Sequence, residues 1–193
     1  MNYVSDHNVA WVRFRSLDSQ GNVDTGTYWG QYQTGDGTPT VVQRMSLETD
    51  SALFHWFIER IRKTENYFIK CSHTINERQS YLCPSQLGNG TSIYNLCAVM
   101  GSRDRYQKKN KQDKSFLWEI KTTETGEEVN CTIKNVKLGK YLVWDEANGG
   151  FGFSADSNSN SAKWNIMSVE GLYLRTGFKK LSDMAGNDGG VFD

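Results

Sequence analysis

Proline is nearly missing from this sequence, with two residues in 193. Net charge is missing too, because 22 basic side chains balance 22 acidic ones. A chain without surplus positive charge has no general electrostatic pull toward nucleic acid or an anionic membrane. Its one basic run, RDRYQKKNKQDK at 103–114, reads as a solvated loop. The longest apolar stretch, ALFHWFI at 52–58, falls far short of the ~20 residues that span a bilayer as a helix. The opening MNYVSDHNVAWVRF lacks the basic flank and apolar centre of a secretory leader. The expected location is cytoplasmic, or outside the cell by a route without a signal peptide.

Catalytic machinery is equally thin. Only three histidines occur, His7, His55 and His73. There is no Gly-x-Ser-x-Gly elbow, no phosphate-cradling glycine loop and no His-Glu-x-x-His. Glu127 and Glu128 are adjacent, so on a strand they would point to opposite faces and could not cooperate as acid and base. Cys71, His73, Cys83 and Cys97 contain soft ligands, yet their spacing matches no zinc knuckle. Together with Cys131 these cysteines read as reduced, buried thiols. No enzyme activity, metal or cofactor is expected.

What the chain does have is aromatic residues and turns. Six tryptophans, nine tyrosines and nine phenylalanines compensate for a low apolar fraction of 37%, since each ring buries a large area. At 193 residues the chain suits one domain able to bury roughly 70% of its unfolded surface. Eighteen glycines punctuate short segments in which β-branched and aromatic residues alternate with polar ones. VRFRSL (12–17), TVVQRMS (40–46), YFIKCS (67–72), NLCAV (95–99), CTIKNV (131–136) and KYLVWD (140–145) all read as strands. SLETDSALFHWFIERIRKT (46–64) is ambiguous. Its apolar residues fit helical spacing as well as a strand covered on both faces, so a short helix near 47–63 stays open beside the favoured strand.

A triplet recurs: Trp56-Phe57-Ile58, Trp118-Glu119-Ile120 and Trp164-Asn165-Ile166, at intervals of 62 and 46 residues. Upstream of each lies a strand and then an aromatic-led pair: Phe14-Arg15 with Tyr28-Trp29, Ile69-Lys70 with Tyr81-Leu82, Ile133-Lys134 with Tyr141-Leu142. Repetition of one supersecondary unit constrains the fold more than any local propensity. Three such units of about four strands resemble the β-trefoil superfold, in which six strands form a barrel and three hairpins cap one end. TIKNVKLGKYLVWDEANGGFGFSADSNSNSAKWNIM (132–167) carries most of the likeness, to the fascin-like and growth-factor-like branches. The expectation is an all-β chain forming a single β-trefoil domain over 1–193. Its pseudo-repeats would lie at about 10–62, 66–122 and 129–170. Residues 171–193 would supply a closing strand, GLYLRTGF against the N-terminal VRF, and then a polar tail.

The resemblance implies binding, because β-trefoils serve mainly as lectins, protease inhibitors, cytokines and actin-bundling modules. A sugar site needs an aromatic face for the apolar side of the ring and planar Asp, Asn or Gln groups for the hydroxyls. The third unit offers Trp144, Asp145, Asn148 and Phe151 around a turn opened by Gly149-Gly150, and the first a looser parallel in Trp29 and Gln31. Ricin-type lectins place Gln-x-Trp in every unit, but Phe54, Phe116 and Ala162 precede the tryptophans here, so that site cannot be carried over. The expected function is a non-catalytic lectin whose partners are glycans or glycoproteins, with homodimerisation left open. The alternative is a trefoil protease inhibitor acting through exposed loops such as 103–114 or NERQS (76–80). SLDSQGNVDTGTYW (16–29) is similar to the start of Kunitz-type plant inhibitors, but three cysteines crowd into one unit, against the Kunitz pattern.

Overall fold

A computed structural model describes residues 9–32, 40–46, 54–60, 64, 66–71, 80–86, 94–100, 114–122, 128–147 and 149–169. Within them lie twelve strands, two short 3-10 turns and no α-helix. The strands that read as such from their alternation are strands.

Six of them close a ring. β1 (Val9–Ser16) pairs with β4 (Trp56–Arg60), β4 with β5 (Asn66–Cys71) and β5 with β8 (Trp118–Thr122). β8 pairs with β9 (Glu128–Asn135), β9 with β12 (Lys163–Ser168), and β12 returns to β1, every pair antiparallel. Closure satisfies the ladder groups that an open sheet would leave at its edges. The remaining strands form hairpins: β2 (Thr27–Tyr32) with β3 (Thr40–Ser46), β6 (Ser80–Gln86) with β7 (Tyr94–Met100), and β10 (Lys140–Asp145) with β11 (Gly150–Ser154). Barrel plus hairpins is the β-trefoil arrangement.

The recurring triplet fills the barrel. Because strand side chains alternate, Trp and the Ile two residues on share a face. Trp56, Ile58, Trp118, Ile120, Trp164 and Ile166 are all fully buried in one cluster with Val12, Phe14, Ile69 and Ile133. Burying ~200 Å² of indole at about 25 cal/mol per Å² is worth about 5 kcal/mol before entropy. Each buried N–H also needs an acceptor. Trp56 Nε1 donates to the Trp29 carbonyl at 3.1 Å, Trp118 Nε1 to Leu82 at 3.1 Å, and Trp164 Nε1 to Leu142 at 2.9 Å. Those acceptors belong to the aromatic-led pairs Tyr28-Trp29, Tyr81-Leu82 and Tyr141-Leu142.

The alternative left open at 47–63 is decided where the structure describes it. The ambiguous 47–63 segment is a strand over Trp56–Arg60, and its helix-like pattern has a physical cause. Trp56 and Ile58 face the barrel, while on the opposite face Glu59 is buried and Phe57 is partly so. Phe57 packs against Trp11 at 4.9 Å. Lys70, opposite Phe57 in the ladder, holds its ammonium 4.8 Å from the Phe57 ring and 2.7 Å from the Glu59 carboxylate. Residues 47–53 and 61–63 lie outside the described residues. Where the ring closes, VRF pairs with β12, Val12, Arg13 and Phe14 lying opposite Ser168, Met167 and Ile166. Residues 171–193 lie outside the described residues. No helix among the described residues is long and apolar enough to cross a membrane.

Candidate ligand-binding site

Trp144 stands near the end of β10, and three local devices put it there. Asn135, buried at the end of β9, accepts the N–H groups of Lys137 and Leu138 through Oδ1 at 3.1 Å each. It also donates from Nδ2 to the Ser115 carbonyl at 2.9 Å, which ties the β9–β10 turn to the barrel. Gly139 closes that turn at φ +64°, a conformation that a Cβ would strain. Beyond β10 the chain reverses through Gly149 at φ +61°, which brings Phe151 directly opposite Trp144 in the β10–β11 ladder. The two rings meet edge to face, 5.3 Å apart at 88°.

The facing wall comes from the loop between β1 and β2. Asp18 folds this loop by accepting the N–H groups of Gln20 and Asn22, both at 2.8 Å, and the Asn22 side-chain amide at 3.3 Å. These donors favour the charged form and hold the Asp18 carboxyl below its ordinary value; the Asn22 backbone contributes most and desolvation opposes. Asp24 accepts from the Gly26 N–H and the Thr27 hydroxyl, each at 2.9 Å. A third piece, the 3-10 turn Asn160–Ala162, locks to the loop when Asn160 Nδ2 donates to the Ser19 carbonyl at 2.9 Å.

Between these walls lies a cleft of about 420 Å³, lined by Trp144 from β10 and Glu146 just beyond it, by Leu17, Asp18, Ser19 and Asp24 from the loop, and by Ser161. Trp144 Nε1 donates to Glu146 Oε2 at 2.6 Å, which fixes the indole's orientation. The cleft therefore presents a partly exposed indole beside carboxylates and hydroxyls. That combination can take the apolar face of a ligand and accept hydrogen bonds from its hydroxyl or amine groups.

The residues singled out in the sequence divide. Trp144 lines the cleft. Asp145 points to the other face of β10 with Val143, toward Gly152, where a Cβ would come 3.3 Å from Val143 Cγ2. Trp29 and Phe151 are core residues at 0% and 3% exposure, so neither offers a ring face to a ligand. Phe151 instead touches Trp29 at 5.5 Å and Trp164 at 5.7 Å, extending a column of rings beneath Trp144. Asn148 and the Gln31 side chain lie outside the described residues, as do 103–113 and 76–79 of the loops considered for inhibition. Asp18, Ser19, Asp24, Glu146 and Ser161 were not legible as site residues. The loop's Asp, Asn and Gly composition signals a turn, and contacts such as Ser19 with Asn160, 141 residues apart in sequence, bring it to the Trp144 cleft.

Elsewhere the chemistry is quiet. Cys131 is buried, and burial pushes its thiol far above the ordinary value, which keeps it neutral. The Arg13 guanidinium hydrogen-bonds His55 Nε2 at 3.0 Å. No group of three or more His, Cys, Asp or Glu among the described residues is arranged to hold a metal ion.

The chain has a β-trefoil fold, and solved structures share it. A salivary protein from Culex quiquefasciatus, of the Cysteine and Tryptophan-Rich family, matches with a TM-score of 0.53 and 16% identity over 86% of this chain and 99% of its own. The designed threefold-symmetric protein ThreeFoil matches with a TM-score of 0.57 and 11% identity over 81% and 97%. The Polyporus squamosus lectin, solved with a Neu5Acα2-6Galβ1-4GlcNAc epitope, gives 0.54 and 12% over 85% of this chain and 50% of that one. At such identities the likeness is one of fold. No protein-family model and no curated protein matches the sequence.

Proposed function

We propose that this protein is a non-catalytic carbohydrate-binding protein that holds one saccharide in the Trp144 cleft. One observation carries the reading. Trp29, Trp56, Trp118 and Trp164 are fully buried, whereas the partly exposed Trp144 lines a cleft that also holds Asp18, Asp24 and Glu146. Solved lectins of the same fold, including the Polyporus protein bound to its saccharide, lend support. The site differs from the set first considered: Trp144 remains, and Asp18, Asp24 and Glu146 take the acceptor role given to Asp145 and Asn148.

The proposal includes three pseudo-repeats within one domain, supported by the three tryptophan-to-carbonyl bonds. Superposing those bonds sets Trp144 against Gln31 and Pro84, because Trp29, Leu82 and Leu142 are the equivalent acceptors. Neither counterpart is aromatic, so the reading gives one saccharide per chain.

A glycan array probed with the wild-type protein and with Trp144→Ala tests it. Selective binding by the wild type that disappears in the variant is the expected result. An array on which the wild type binds nothing would remove the proposal.

A further inference from the structure

Ser161 lines the cleft and its neighbour Asn160 does not. The Asn160 side chain instead reaches sideways to the facing wall, where Nδ2 donates to the Ser19 carbonyl at 2.9 Å. Gly21 lies against the same amide: a Cβ there would come 3.4 Å from Oδ1 and 3.5 Å from Nδ2. Both contacts fall at the tip of the β1–β2 loop. That loop is braced from within. The Asp18 N–H donates to the Asn22 carbonyl at 2.8 Å and the Gly21 N–H to the Asp18 carbonyl at 3.0 Å. The Asp18 carboxylate takes the Gln20 and Asn22 amides, and at the root the Asp24 N–H donates to the Ser16 carbonyl at 2.9 Å. These bonds give the loop its shape, yet they join it only to itself and to its own root. The Asn160 amide ties its tip to the turn that precedes β12.

A stiff loop moves as one piece, so its tip contact governs how wide the cleft stands. If the wall is correctly placed in only part of the population, apparent affinity falls by that fraction. We propose that Asn160 is a positioning residue for saccharide binding, holding Asp18 and Ser19 at the spacing from Trp144 that the ligand needs without touching the ligand. The inference rests on the saccharide reading and extends it to a residue outside the cleft.

The test uses the glycan that the wild type binds most tightly on the array, titrated by calorimetry. Asn160→Ala removes the donor, and Asn160→Asp keeps the shape while turning a carboxylate oxygen toward the Ser19 carbonyl. Each should weaken binding about three- to tenfold, as expected when the wall is correctly placed in about a third to a tenth of molecules. Urea midpoints should stay at the wild-type value, because the Asn160 bond lies at the surface. In ligand-free Asn160→Ala, ¹⁵N relaxation of the Gln20 and Asn22 amides should report more motion than in the wild type. Unchanged affinity in both variants, an affinity loss matched by an equal loss of stability, or unchanged loop relaxation would overturn the positioning role. None of these touches the saccharide reading, which Trp144→Ala tests. A wild type that binds no glycan would overturn both.

Discussion

Trp144 and Phe151 face each other across the β10–β11 ladder with ring centroids 5.3 Å apart at 88°. The surface indole thus stands on a buried ring, and that ring leans on Trp164 and Trp29 within the barrel. A binding side chain supported this way loses little freedom when a ligand arrives. The two positions should separate stability from binding. Phe151→Ala opens a cavity in the core and should cost about 3–5 kcal/mol in urea unfolding. Trp144→Ala should cost about 1 kcal/mol, because its ring is only partly buried. Equal losses at the two sites would contradict this division.

The tryptophans of the barrel differ from one another in hydrogen bonding. Trp56, Trp118 and Trp164 each donate to a backbone carbonyl, whereas the buried Trp29 Nε1 has no partner among the described residues. Trp→Phe at any of the first three should lose that bond in addition to packing, a difference of about 1 kcal/mol or more relative to Trp29→Phe. Chemical denaturation of the four single variants gives the ordering directly.

Lys70 and Glu59 form an ion pair with both side chains about nine-tenths or more buried, at 7% and 5% exposure. Removing Lys70 takes its ammonium away from a buried carboxylate, so Lys70→Met should destabilise by up to about 3–5 kcal/mol. The double variant Lys70→Met with Glu59→Leu should recover much of that loss, as an apolar pair of similar size replaces the ions. A double variant no more stable than the single one would show that these charges hold the outer face of β4 and β5 in some further way.

The Asp18 carboxyl titrates below its ordinary value of 3.8 because amide donors, Asn22 first, stabilise its charged form. With the folded value depressed, the loop gains stability above the unfolded value and loses it as pH falls through the folded one. Carboxyl carbon NMR should place the Asp18 midpoint below 3.8. Loosening of the 18–24 loop, followed through the Asn22 amide, should track that titration.

The fold was legible because one physical requirement recurs. In this barrel the core is filled at recurring inward positions by large rings, and Trp-x-Ile supplies them at 56, 118 and 164. The short stretch around Phe57 was harder, since a strand covered on both faces loses the alternation that separates strand from helix. At the site, Trp144 could be found because an aromatic beside a glycine-opened turn has a local signature. Trp29 and Phe151 carried the same signature but serve the core, and side-chain type alone does not distinguish the two roles. Asp18 and Asp24 were invisible for a different reason. Their meeting with Trp144 is made by tertiary contacts spanning more than a hundred residues.

The most direct test of the account follows the six tryptophan indole N–H signals by ¹H–¹⁵N NMR while a saccharide that the protein binds is added. The account predicts that the Trp144 signal shifts or broadens with saturation, while those of Trp56, Trp118 and Trp164 stay in place inside the barrel. A saturable shift of other indoles with Trp144 unmoved would contradict it.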